Sequence, residues 1–423
     1  MLAESHDEEE IIARVAALDI GKAELVCCLR VPAPTGGGKR RMQEVSTHST
    51  MTKSLVELAN HLVEMGVERV VMEATSSYWK PVFYLLEAHG LAPWLVNARD
   101  VKHLPGRPKT DVLDAVWLCK VGERQMLRPS FVPPWPIRRL RDLTRYRTDL
   151  VAARTAEKNR VEKLLEDACI KFSVVASDIF GVSGRAMLGA LVAGERDPKV
   201  LAQLARARMR GKIDRLEQAF DGHFADHHAF LLSRMLSRIE GLDSDIAAVD
   251  VQIEAQLAPF AEAAARLDEI PGIGPVAAAA IIAEIGVDMS RFPTAGHLCS
   301  WAKFAPGINS SAGKTKRSAS SGHGSPYLAR VLGEAAVGTS KTNTFLAARY
   351  RRIARRRGQP RAVVAVGRSI LVIIWHLLKD PDARYQDLGV DHYQRHVDSA
   401  AKKRGHIRQL EALGYTVTLI PAA

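Results

Sequence analysis

The 423-residue chain is poor in cysteine, and its five cysteines (Cys27, Cys28, Cys119, Cys169 and Cys299) include no Cys-x-x-Cys pair. That argues against a structural zinc site and against a disulfide framework; a reducing, cytoplasmic setting fits. MLAESHDEEE does not read as a secretory signal peptide either, because it is acidic and polar where a signal peptide is basic and then apolar. Long apolar runs are scarce. The strongest late one, Ala362 to Leu378, is interrupted by Arg368 and His376, so it reads as a buried helix rather than a membrane span. No internal repeat is visible.

What is present is a sizeable core and an excess of positive charge. Hydrophobic residues make up 47%, the formal net charge is +12 and the pI is about 9.5. The length suits two or three domains. The charge favours a polyanionic partner, since each Lys or Arg meeting a phosphate releases a condensed counterion.

The first part alternates strand and helix patterns. Strands are expected over Ile12 to Ile20, Glu24 to Arg30, Gln43 to Ser49, Arg69 to Glu73 and Pro93 to Asn97. Helices are expected over Ser54 to Met65, Tyr78 to His89 and Asp111 to Arg124. That order is one of a mixed α/β sheet. Proline-rich FVPPWPIRR, Phe131 to Arg139, marks a boundary. Beyond it the chain reads as helical. Leu236, Ile239, Leu242, Ile246, Val249, Ile253 and Leu257 repeat every three or four residues, and Leu140, Leu143, Leu150, Val161, Leu164 and Leu165 lie at mostly helical spacing, which suits an antiparallel coiled coil. Between the two runs lies a less regular helical stretch, Phe172 to Phe230, with the basic segment ARARMRGK, Ala205 to Lys212.

Four acids stand out. Asp19 ends the first apolar strand and Glu73 ends another, while Asp111 and Asp114 lie one helical turn apart in KTDVLDA. Carboxylates at strand ends converge with a helix face when the sheet is wound that way. Such a cluster repels itself unless cations sit within it, and its oxygen donors suit hard divalent ions, chiefly magnesium. Paired ions can activate an attacking oxygen and stabilise a leaving one in phosphodiester chemistry. The plain alternative is a turn role for each acid, and a helix N-cap role for Asp111.

ALDIGKAEL, VMEATSSYWKPVFYLLEAHG, KTDVLDAVWL, IPGIGPVAAAAIIAEIG, WAKFAPGIN with SSAGK, GSPYLARVL and RAVVAVGRSILVIIWHLLKD resemble, in order, successive blocks of the DEDD insertion-sequence transposases of the family numbered one hundred and ten, the bridge-RNA-guided serine recombinases. The resemblance implies a RuvC-like RNase H-fold domain over 1–130, a helical coiled-coil region with an insertion over 131–264, and a mainly helical transposase domain over 265–423. It implies magnesium, held by Asp19, Glu73, Asp111 and Asp114, a tetramer, donor and target DNA, a structured bridge RNA, and a place in the bacterial cytoplasm at the nucleoid. The family's serine nucleophile follows a proline in a Pro-x-x-x-x-Ser pattern. Counting from Pro306 gives Ser311, whereas counting back from GSPYL gives Ser310. This sequence reads Ser-Ser-Ala-Gly where the family commonly has Ser-Gly, so both serines stay open, with Ser311 preferred.

A serine hydroxyl needs a base or a metal to become a nucleophile; the acidic tetrad is the candidate source. Lys314, Lys316 and Arg317 flank the serines and are expected at the scissile phosphate. Gly272 and Gly274, in PGIGP, resemble a helix-hairpin-helix turn that lets backbone amides approach a phosphate. Arg351, Arg352, Arg355, Arg356 and Arg357 are expected to contact nucleic-acid backbone. His323 reads as a solvated loop histidine. Tyr78 and Trp79 either stack on a base or close a helix on the core. A second reading of the four acids is a metal-dependent nuclease or junction resolvase using water; a third is a nonenzymatic nucleic-acid-binding protein on the same scaffold.

Overall fold

The computed structural model describes residues 11–33, 40–97, 110–305, 309–311, 314–316, 324–395 and 399–419. The chain forms two compact units, Met1–Val132 and Pro133–Ala423.

In the first unit, β1 (Val15–Ile20), β2 (Glu24–Pro32) and β3 (Arg41–Ser49) are followed by α1 (Thr52–Glu64), β4 (Arg69–Glu73), α2 (Trp79–Ala88), β5 (Pro93–Val96) and α3 (Asp111–Glu123). The sheet order is β3-β2-β1-β4-β5. β2 runs antiparallel to β1 and β3, whereas β1–β4 and β4–β5 are parallel. Strand side chains alternate between faces. Ala16, Leu18, Val70 and Met72 pack on one face with Leu55, Leu58 and Leu62 of α1 and Val82, Phe83 and Leu86 of α2. Val15, Ala17 and Val71 pack on the other with Ala115, Leu118 and Cys119 of α3. Both faces are covered, which is why β1 and β4 read as unbroken apolar runs.

The second unit opens with α4 (Trp135–Asp167), whose proline lies in the first turn where no intrahelical N–H is lost. α5 (Phe172–Val175), α6 (Val182–Val192), α7 (Pro198–Gln203), a 3-10 turn (Ala207–Lys212) and α8 (Ile213–Phe220) precede the second long helix, α9 (Asp226–Leu257). α4 and α9 pack antiparallel. Arg154 Nη1 donates to Asp243 Oδ1 at 2.7 Å, and seven residues earlier on α4 Arg147 pairs with Asp250. Ile239, Ile246 and Ile253 are buried at the same seven-residue interval, the spacing that keeps a helix seam on its partner. The short elements between the long helices have their own core: Phe172, Met187, Leu188, Leu201, Leu216 and Phe220 close against Val161 and Leu165 of α4 and Leu232 and Ile239 of α9.

After α9 come α10 (Ala261–Asp268), α11 (Pro275–Ile285), α12 (Ala295–Trp301), the hairpin strands β6 (Asn309–Ser311) and β7 (Lys314–Lys316), α13 (Pro326–Thr339), α14 (Phe345–Arg357), α15 (Gln359–Lys379), α16 (His392–Arg395) and α17 (Ser399–Ala412). α15 is long and apolar enough to cross a membrane by length and composition. In this fold it is a core helix: Ala362, Val366, Ile370, Leu371 and Ile374 are fully buried, against α12, α13 and α14.

Candidate functional site

Asp19 and Glu73 each follow the last paired residues of adjacent parallel strands, Leu18 opposite Met72. By alternation both belong with Ala17 and Val71, on the face that α3 covers. The run of α3 over that face is fixed at its far end. Cys119 Sγ donates to the Val15 carbonyl at 3.4 Å, and the Ile12 amide donates to the Glu123 carbonyl at 3.0 Å. From Val15 to Asp19 a strand rises about 13 Å. From Cys119 back to Asp111 a helix rises about 12 Å. The first turn of α3, with Asp111 and Asp114, therefore lies at the same end of the sheet as Asp19 and Glu73. Asp19, Glu73 and Asp114 are half-buried and Asp111 is exposed. Thr110 is the N-cap, its Oγ1 accepting from the Leu113 amide at 3.3 Å, so Asp111 is not needed for that role. Among the described residues, no three of the four acids bring a ligand oxygen each within 4.8 Å of one another.

Two features hold α3 in place, and neither is visible in the sequence. Glu123, only 8% exposed, accepts from Arg30 Nε and Arg41 Nε at 2.8 Å each, tying the end of α3 to β2 and β3. Gly122 lies so close to the sheet that a Cβ there would stand 2.7 Å from Val71 Cγ2. Trp79 packs edge-on against Phe83 and Tyr84, with centroids 5.7 and 6.2 Å apart, and joins the α1/α2 side of the core. It closes a helix, as its plain reading had it, while Tyr78 stays exposed.

In the second unit, β6 and β7 pair antiparallel, with Ser311 opposite Lys314 and Ser310 opposite Thr315. Pro306, Arg317 and His323 lie outside the described residues. Gly272 has φ +90°, and a Cβ there would stand 2.4 Å from the Ala335 carbonyl of α13. The close approach that demands glycine is thus to a neighbouring helix. Gly274, just before α11, faces open space. Arg351, Arg352, Arg355, Arg356 and Arg357 are all exposed on α14. Arg352 stacks over Tyr393 at 3.8 Å. Arg355, Arg356 and Arg357 fill the last turn, where cations also complement the helix dipole.

The GSPYL segment is structural in a way the sequence did not disclose. Ser325 caps α13 through the Leu328 amide and donates to Glu284 Oε2 at 2.9 Å. Glu284, 3% exposed, also accepts from both Arg145 Nε and Nη2, at 2.7 and 2.9 Å. Arg141 adds hydrogen bonds to the Ala283 and Glu284 carbonyls at 2.8 and 2.6 Å. Two arginines one turn apart on α4 thus clamp the end of α11.

Among the described residues, Asp167, His227 and His228 do bring candidate ligand atoms within 4.8 Å. The hydrogen bonds argue against a metal there. His228 Nδ1 accepts from the Ala225 amide at 3.0 Å, leaving the proton on Nε2, which faces Asp167 Oδ2 at 3.2 Å. Both ring nitrogens are committed to closing the start of α9.

A family model of DEDD transposases, named for IS110 and described as a transposase, matches residues 16–170. A second, for the transposase IS116/IS110/IS902 family, matches residues 264–351. The four acids fall in the first match; Gly272, Gly274, Ser310, Ser311 and Lys314 fall in the second. The chain is also 26% identical over 315 residues to a "Probable family 20 transposase" of Pseudomonas aeruginosa, an alignment spanning 73% of this chain and 83% of that protein.

Proposed function

We propose that this chain, a member of the IS110 family of DEDD transposases, cuts and rejoins DNA through a nucleophilic serine, assisted by divalent cations at Asp19, Glu73, Asp111 and Asp114 and guided by a bridge RNA. The observation that carries the cation site is the sharing of one sheet face and one sheet end by two strand-end acids and the first turn of α3. An all-oxygen donor set fits magnesium better than softer metals. The sheet order, with β2 alone reversed, supports an RNase H-type, RuvC-like fold. Bound there, magnesium would neutralise phosphate charge and favour ionisation of an attacking hydroxyl.

Ser311 is the preferred nucleophile. Its register partner is Lys314, a cation suited to a phosphate, whereas Ser310 faces Thr315. Attack by Ser311 Oγ forms an O–P bond and breaks one backbone P–O bond. The serine proton leaves and the displaced deoxyribose oxygen gains one. The phosphoserine ester keeps the energy of the cut bond, so attack by a second deoxyribose hydroxyl restores the backbone without ATP. Lys316, Arg317 and the amides after Gly274 are proposed to hold phosphates beside it, and a tetramer to bring the strands together.

Ser311→Ala, Ser310→Ala and the double variant, tried on a suicide DNA substrate, test this. The covalent adduct is expected to vanish in Ser311→Ala with DNA binding intact. Loss only in Ser310→Ala moves the role one residue back, and an adduct in the double variant refutes the serine mechanism. Sequencing the RNA that co-purifies with the protein tests guidance: one structured transcript is expected, and a random cellular sample counts against it.

A further inference from the structure

Residues 171–263 lie outside both family matches, yet they include a folded knob between α4 and α9 with its own core. One surface of that knob is strongly basic. Arg206, Arg208, Arg210 and Arg215 are exposed, and none has an ion pair or side-chain hydrogen bond among the described residues. This is unlike the arginines nearby: Arg154 and Arg185 share Asp243, and Arg160 pairs with Glu157. Asp214 is the one acid within the segment 205–215, against five cations including Lys212.

The segment is held, not loose. Ala205 and Leu216 are buried, and Met209 and Ile213 pack on the knob's core. The Arg206 amide donates to Ser183 Oγ at 2.9 Å, and Lys212 Nζ donates to the Val175 carbonyl at 2.7 Å. Apolar side chains go inward, and the four arginines stand in solvent on a fixed backbone. With the backbone already ordered, binding has only side-chain entropy to lose, and each guanidinium is free to meet a phosphate without first breaking a protein contact.

We infer that this surface of the knob, centred on Arg206, Arg208 and Arg210, is a docking site for the phosphate backbone of duplex DNA. The reading rests on the transposase assignment. Duplex DNA is the occupant because the transposase assignment supplies it as substrate, and unpaired arginines on an ordered segment complement a phosphate backbone without reading sequence.

The test uses the full chain and compares wild type with Arg206→Gln/Arg208→Gln/Arg210→Gln and with the corresponding triple lysine variant. Each is titrated across a salt series with a random-sequence duplex and with a structured RNA of equal length. Each lost phosphate contact lowers the salt slope by about 0.9, so the glutamine triple is expected to lose about 3 on duplex DNA and little on RNA, while the lysine triple keeps the wild-type slope. An unchanged duplex slope in the glutamine triple overturns the inference and leaves the transposase reading intact, as does a fall on RNA alone. Failure of wild type itself to bind duplex DNA takes both down.

Discussion

Gly122 gives a measurable test of how α3 seats the acids. Replacing a helical glycine by alanine ordinarily stabilises a helix by up to about 1 kcal/mol, and less here because Gly122 is in the last turn. Against that stands the added methyl, 2.7 Å from Val71 Cγ2 and 3.7 Å from Val15 Cγ1. Carbon atoms rest at about 3.5–4.0 Å, so the helix or the valine must yield by about 1 Å. Val71 cannot easily do so: it is fully buried, stiff at χ1, and in a strand paired on both sides. Overpacking of this kind costs about 1–3 kcal/mol. The clash wins, and Gly122→Ala should destabilise the first unit by about 1–2 kcal/mol. For a unit of this size that is a fall in Tm of roughly 4–8 °C.

Urea unfolding of the full chain, with hydrogen exchange at β1 and β4 amides reporting the first unit, measures the loss. A helix pushed off the sheet also moves Asp111 and Asp114, so strand cleavage should fall further than stability explains. Val71→Ala removes the methyl that is struck. Gly122→Ala in that background should therefore cost less than in wild type, by a coupling of about 1 kcal/mol or more. A stabilised Gly122→Ala, or strictly additive variants, would refute the close approach of α3 to the sheet.

Alanine at Asp19, Glu73, Asp111 or Asp114 should abolish strand cleavage while the melting curve stays close to wild type; wild-type cleavage in magnesium removes that residue from the site. Glu284→Gln, which leaves Arg145 with a half-buried unpaired charge, should cost about 3 kcal/mol, read from the urea midpoint of the second unit; a loss under about 1 kcal/mol shows that the clamp is not holding α11. With a thiol reagent, Cys169 should react rapidly in the native protein and the other four slowly, since only it is exposed; burial pushes Cys27 up to about 12, which keeps its thiolate scarce. Fast labelling of more than one thiol contradicts that burial.

Much of the first unit was legible because its signals are local and strong. β4 was read at Arg69–Glu73, as found, and the strand ends carrying Asp19 and Glu73 lay where apolar runs stop. The start of β1 was read three residues early. Ile12 is buried, but its backbone amide goes to Glu123 at the end of α3 instead of to a neighbouring strand. Burial of charge was the blind spot. Nothing in spacing distinguishes Glu123 or Glu284 from a solvated acid, because their arginine partners are 82–93 and 139 residues away in sequence. The knob was opaque for a related reason. Its helices are short, their apolar residues follow no sustained period, and its core is made by many elements at once.

The same contrast bears on how motif residues should be weighed. In the sequence PGIGP reads as a phosphate-binding turn and GSPYL as a family block from which the serine is counted. Yet Gly272 is a glycine because α13 passes within a methyl's width, and Ser325 is a serine because it caps α13 while bonding Glu284. Each is accounted for by packing before any ligand is invoked, so substitutions there should first disturb the fold. Gly274 has no such packing explanation. Gly274→Ala adds a methyl into open space with φ already negative, so it should leave stability within about 0.5 kcal/mol. If the amides after it hold a phosphate, the same variant should weaken DNA binding. Unchanged stability with unchanged affinity would leave PGIGP as a helix turn alone, and unchanged stability with weakened affinity would separate the phosphate role from the architectural one.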